Sequence, residues 1–148
     1  MKATTFTLLI PLLLGYLPSN AQQAEKTLVK SFNVTQYQTV VLDLEGEVQL
    51  KTWNEDQMRI LMTITLQDGT ETVLKSLVQA GRYMLETKDN GNGELTILTP
   101  GLLKQIKLRS GNDIGEQVSF VVYAPKKIHV KTRTDETTGM LSPVKMGF

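Results

Sequence analysis

Between Val40 and Trp53 the chain reads VVLDLEGEVQLKTW. Apolar side chains fall on the even positions, Val40, Leu42, Leu44, Val48 and Leu50; Asp43, Glu45, Glu47, Gln49 and Lys51 take the odd ones. A period of two marks strands with one buried and one wet face. Gly46 stands at the centre of the run. A hairpin turning on Glu45-Gly46-Glu47 pairs Leu44 with Val48 and Leu42 with Leu50, keeping both apolar sets on one face. A single strand kinked at Gly46 keeps the same parity. After a polar turn from Asn54 to Gln57, the alternation resumes with Met58, Ile60, Met62, Ile64 and Leu66 on one side.

The period changes from Asp68 to Arg82. Val73, Leu74, Leu77 and Val78 recur at helical spacing, Asp68 and Glu71 suit a capping box, and Gly81 suits a helix stop. A short amphipathic helix is expected over about residues 70–80. Strands follow at Tyr83 to Lys88 and Glu94 to Thr99, around the turn-rich Asp89-Asn90-Gly91-Asn92-Gly93. A short edge strand is expected from Ile106 to Arg109 and a polar loop from Ser110 to Gln117. Val118 to Ala124 is a further strand, broken by Pro125, and Ile128 to Thr134 is the last. The fold class is mainly β: an antiparallel or partly coiled sheet domain with one short helix.

The first residues, MKATTFTLLIPLLLGYLPSNAQQ, break with this pattern. Lys2 precedes a short apolar run, and Ser19 and Ala21 put small residues at the −3 and −1 positions of a cleavage site. The run is too short, and Pro11 too central, for a spanning helix. Residues 1–21 are expected to be a signal peptide, 22–135 a single β-rich domain and 136–148 a weakly structured tail. An exported chain without cysteine folds on its core alone and carries no lipidated N-terminal cysteine. The expected location is periplasmic or extracellular, soluble, with no membrane span in the mature chain.

Charge narrows the partners. Without residues 1–21, basic and acidic side chains balance at 15 each, so nothing draws the chain to nucleic acid or acidic lipid. Residues 22–100 carry a net −4 and residues 101–148 a net +4, a split that suits complementary strands within one molecule.

The segments KSFNVTQYQTVVLDLEGEVQLKTWNEDQMRILMTI and VVYAPKKIHVKT, with the leader ending SNAQQ, resemble the N-terminal part of an adhesin-like family of exported bacterial proteins, the autotransporter-adhesin or head-GIN type. The resemblance covers residues 28–133 and lies in the rhythm of strands and turns. It implies an all-β, envelope-associated module with no known enzyme activity, and the start of a right-handed β-helix. Relative to the family pattern the chain is truncated before the coil stack and contains no Gly-Ile-Asn tripeptide.

Candidate chemistry is sparse. The single histidine, His129, shares a strand face with Lys131, Arg133 and Asp135, opposite Ile128 and Val130. That places it in water among cations, which disfavour both its proton and a metal. The loop from Asp89 to Glu94 glances toward a calcium loop, but Gly91 and Gly93 occupy positions that need oxygen ligands. Asn112, Asp113 and Glu116 have no recognised spacing. Asp43, Glu45 and Glu47 line one face near a turn, where solvation suits them better than acid–base work. Lys104, Lys107, Arg109, Lys126, Lys127, Lys131 and Arg133 offer an anion-binding surface without interleaved aromatics. Asn33-Val34-Thr35 fits a glycosylation sequon. Trp53 falls with the charged face or in the turn, where it stacks on a sugar, anchors a protein or packs under a loop. The expected function is a noncatalytic exported β module contacting an envelope or surface protein through Trp53, Lys126, Lys127, Lys131 and Arg133. The alternative is a small glycan- or ligand-binding domain of the envelope. No cofactor, metal or catalytic residue is expected.

Overall fold

Met58, Ile60, Met62, Ile64 and Leu66 are completely buried, and their strand organises the fold. In the computed structural model, which describes residues 23–111 and 113–133, that strand is β4 (Gln57–Leu66), preceded by β1 (Ala24–Asn33), β2 (Thr39–Asp43) and β3 (Glu47–Trp53). After it come α1 (Glu71–Gln79), β5 (Glu86–Gly91), β6 (Glu94–Leu98), a 3-10 turn (Pro100–Leu103), β7 (Glu116–Pro125) and β8 (His129–Thr132). The expected leader, Asn112, Thr134, Asp135 and the tail over 136–148 lie outside the described residues.

The strands form two four-stranded sheets, ordered β1-β4-β7-β3 and β5-β6-β2-β8. Both are mixed. β1–β4, β4–β7 and β5–β6 are antiparallel, while β3–β7, β2–β6 and β2–β8 are parallel. Val40 and Leu42 of β2 and Leu95 and Ile97 of β6 join the β4 row, Phe120 and Val122 in one core. Each such side chain taken fully from water contributes roughly 1.5–3 kcal/mol. The result is the mainly β domain with one helix expected from the alternation.

The run around Gly46 is not a hairpin. β2 and β3 lie in different sheets, so Leu44 and Val48 are not cross-strand partners, and the chain turns a corner at Gly46. There φ is +148°, and a Cβ would stand 2.3 Å from the Val118 carbonyl oxygen. Only glycine lets the corner pass this close to β7. A second corner, at Pro125 to Ile128, carries β7 into β8 and closes with Ile128 N–H donating to Pro125 O at 3.1 Å. Because β8 runs parallel to β2 and β7 to β3, residues 39–53 and 116–132 stack as successive layers.

Helix α1 starts at Thr70, not at an Asp68–Glu71 box: the Thr70 hydroxyl accepts from Val73 N–H. It stops at Gly81 as expected. Gly81 N–H donates to Val78 O and Arg82 N–H to Leu77 O, the paired bonds of a left-handed glycine cap. The expected edge strand at Ile106 to Arg109 reduces to one isolated bridge, Lys107 to Asp113, and 3-10 geometry precedes it. β1, which the alternation did not reveal, pairs with β4 along its whole length, from Ala24 opposite Leu66 to Asn33 opposite Gln57.

Candidate functional site

The outer face of the first sheet gathers the aromatic and cationic side chains of three strands. Lys51 of β3, Tyr123 of β7 and Arg59 of β4 share one row, by register. Trp53, the last residue of β3 and in register with Pro125, faces the same way as Lys51 and lies against Tyr123, and the turn that follows it arches past the end of β7 to reach β4. Its ring centroid is 5.4 Å from that of Tyr123, at an interplanar angle of 40°. Arg59 holds its guanidinium 4.9 Å from the Trp53 ring, and Lys51 its ammonium 5.6 Å from the Tyr123 ring. Such cation–ring pairs at partly exposed sites contribute about 0.5–1 kcal/mol each. The indole N–H donates to Gln57 O at 2.8 Å, which settles the polar atom of the half-buried ring. Lys127, from the β7–β8 corner, pairs with Asp56 in the arch at 2.7 Å; Lys126 is exposed beside it.

The next row across the same face is apolar over three strands and ends at Gln49 of β3. Val29 of β1, Leu61 of β4 and Val121 of β7 stand side by side. Val29 is 61% exposed, although the outward positions of an antiparallel pair are ordinarily polar. Beyond them the face turns to hydroxyls, Thr27 bonding Thr63 at 3.0 Å.

The other predicted contact residues lie elsewhere. Lys131 and Arg133 sit with His129 on the outer face of the second sheet, opposite buried Val40 and Leu42 in alternation. The five residues expected to form one contact surface therefore divide between two faces of the molecule. Trp53 and Lys127 stand at one end of the first sheet, with Lys126 in the neighbouring corner, and Lys131 and Arg133 belong to the other sheet. The parity expected for His129 holds: it is exposed, and its backbone N–H donates to Gln38 O at 2.9 Å. Lys131 reaches Glu94 at 3.6 Å. Arg133 ion-pairs with both Asp43 and Glu45, so these carboxylates meet a cation, and Asp43 Oδ1, which accepts no well-aligned hydrogen bond, still has its charge opposed. Between them runs a shallow groove of about 400 Å³ lined by Asp43, Lys88, Asn90, Glu94 and Thr96.

The loop with a calcium-like look closes as a bulged hairpin. Asp89 accepts from Gly91 N–H at 2.8 Å and from the Tyr37 hydroxyl at 3.1 Å. Asn90 donates to Glu94 and Thr96. Among the described residues no three His, Asp or Glu side chains converge as a metal would need.

One polar cluster was invisible in the sequence. Arg82, just past the helix cap, donates to both oxygens of Glu116, at 2.8 and 2.5 Å, and to Gly101 O and Lys104 O at 3.0 and 2.8 Å. The Tyr83 hydroxyl donates to Glu116 Oε1 at 2.5 Å. The Arg82 and Glu116 side chains are 7% and 14% exposed. Burial pushes the Glu116 carboxyl up, but the bonds from Arg82 and Tyr83 outweigh it and hold the group below the usual carboxylate range. Burial, with the bond to Glu116, pushes the Tyr83 hydroxyl above its ordinary value. The cluster pins the helix end, the 3-10 turn and the start of β7 together. No local spacing announces it, because Arg82 and Glu116 are 34 residues apart.

No family model and no curated protein matches the chain. Solved structures that it resembles include a candidate cell adhesion protein from Clostridium sporogenes, at 17% identity and a TM-score of 0.40, over 74% of this chain and 46% of that one. A candidate lipid binding protein from Parabacteroides distasonis aligns over 76% of this chain and 38% of its own length, at 15% identity and a TM-score of 0.30. The chain thus spans less than half the length of either.

Proposed function

We propose that this chain is a noncatalytic, exported β module that works by protein contact in the cell envelope, through the outer face of its first sheet. The observation that carries the reading is the apolar row of exposed Val29 and half-buried Leu61 and Val121 beside the Trp53–Tyr123–Arg59–Lys51 group. Apolar side chains flanked by an aromatic pair and cations are the composition of a protein interface centre, where tryptophan, tyrosine and arginine concentrate. The charged groups elsewhere have intramolecular work: Arg82 and Glu116 hold the interior, and Lys131 and Arg133 pair with the acids of their own sheet. Export rests on the leader-like N-terminus. The test is capture of partners from the native envelope by the tagged chain and by its Val29→Asp variant. A specific protein retained by the first and lost at least roughly tenfold by the second is expected; equal retention by both refutes the surface assigned.

Glycan binding is the second reading, and the groove on the second sheet favours it, because Asp43, Asn90, Glu94 and Thr96 present the carboxylate, amide and hydroxyl groups that sugar hydroxyls seek. Trp53 is less suited to that role, since Arg59 covers its ring. Glycan titration separates the two readings: an Asn90→Ala-sensitive response, with no envelope protein captured, supports the groove. Turnover of a hydrolase substrate that vanished on mutating His129 or a carboxylate of Asp43, Glu45 or Glu47 would overturn both.

A further inference from the structure

β3 has one hydrogen-bonded neighbour, β7; its other edge is open among the described residues. Leu50 lies opposite the fully buried Val122 and so points to the core side, yet it is 44% exposed. Val48, two residues earlier, is half-buried against the core. The core is thus uncovered along this edge. Natural sheets blunt open edges with proline, short strands or charge. β3 runs seven residues without proline, and its charges are of opposite sign, Glu47 and Lys51 standing two residues either side of Gln49. Neither is held by an ion pair among the described residues.

We propose that β3 is a self-association edge, pairing antiparallel with β3 of a second copy of this chain about a twofold axis through Gln49. An axis normal to the sheet carries core side onto core side, as a closed twofold contact requires. In the register centred on Gln49, Glu47 of each copy lies directly opposite Lys51 of the other, and Val48 opposite Leu50. Opposite-charge and apolar pairs at such positions are the units that stabilise a sheet. Centring on Leu50 sets Glu47 against Trp53 and forfeits the charge match, so the pattern selects one register as well as one partner. The contact runs along the edge of the first sheet; of its residues only Lys51 also belongs to the Trp53 group, so Glu47 and Gln49 test the edge apart from the function proposed above.

The chain has no cysteine, which makes a disulfide probe clean. Gln49→Cys under mild oxidation is expected to give a covalent dimer, because the two copies of position 49 face each other across the axis. Leu50→Cys, opposite Val48, is expected to give none. By sedimentation velocity, Glu47→Lys or Lys51→Glu alone should weaken dimerisation about tenfold, and the double reversal should restore it. A chain that sediments as a monomer at every concentration and forms no Gln49→Cys dimer overturns the proposal. So does a dimer indifferent to the charge reversals. Slow exchange of the β3 amides that point away from β7, in a chain that stays monomeric, also overturns it.

Discussion

Single residues carry more of this fold than their size suggests, and Gly46 shows it best. Its positive φ and the Val118 carbonyl 2.3 Å from any Cβ impose two penalties on a substitution, backbone strain and a clash. Gly46→Ala should lower the unfolding free energy by at least about 2 kcal/mol, read by chemical denaturation. Arg82 and Glu116 carry a different burden. Glu116→Gln leaves a guanidinium without its counter-charge in a nearly closed site, and should cost about 3 kcal/mol, whereas Arg82→Met with Glu116→Leu should recover much of that loss. The pH dependence has a fixed sign. The Glu116 carboxyl is depressed in the folded chain, so its contribution is present above the ordinary glutamate value and is lost as pH falls through the lower, folded one. Tyr83 is raised, so its contribution holds below the ordinary tyrosine value and fades as pH climbs beyond it. Denaturation midpoints followed from neutral to acid should drop less in Glu116→Gln than in the parent chain, because that variant has already lost the titrating group.

Elements were legible in the sequence to the degree that their neighbours obeyed the same pattern. β4 stands out because every core-side position is apolar, and β7 because every core-side position after Glu116 is. β1 did not, because Lys26 and Lys30 occupy core-side positions opposite Ile64 and Ile60. On an edge strand such a side chain buries its stem and carries its charge past the rim: Lys30 lies 5.3 Å from the Phe32 ring and donates to Leu85 O at 2.7 Å. The sequence leaves Gly46 open between a hairpin turn and a kinked strand, and neither is a crossing between sheets, because all three preserve the same parity; alternation fixes which way a side chain faces and is silent on which strand it meets. The helix was legible, its cap less so, since Asp68, Thr70 and Glu71 all suit helix starts. Thr70→Ala should destabilise the chain by about 1 kcal/mol, while Asp68→Ala should cost far less in the same thermal melt.

At the scale of the molecule, the two sheets separate the polar chemistry into two unlike surfaces. One is a mixed-charge face, where Arg133, Asp43, Glu45, Lys131 and Glu94 answer one another. The other bears an apolar row, exposed at Val29 and half-buried at Leu61 and Val121, beside the Trp53 group. Sequence parity put His129 correctly with Lys131 and Arg133, but treated Trp53 as part of the same contact set. Nothing local reveals that β3 pairs with β7 and so sets Trp53 beside Tyr123, because that pairing depends on strand order. The central claim is that partners meet the outer face of the first sheet. It is tested most directly by placing a photo-cross-linking residue at Val121 and, separately, at Lys88 on the opposite face, in the chain expressed in its native envelope. A single protein captured repeatedly from Val121, not from Lys88, and lost on Arg59→Glu is the expected result. Capture from Lys88 with none from Val121 contradicts it.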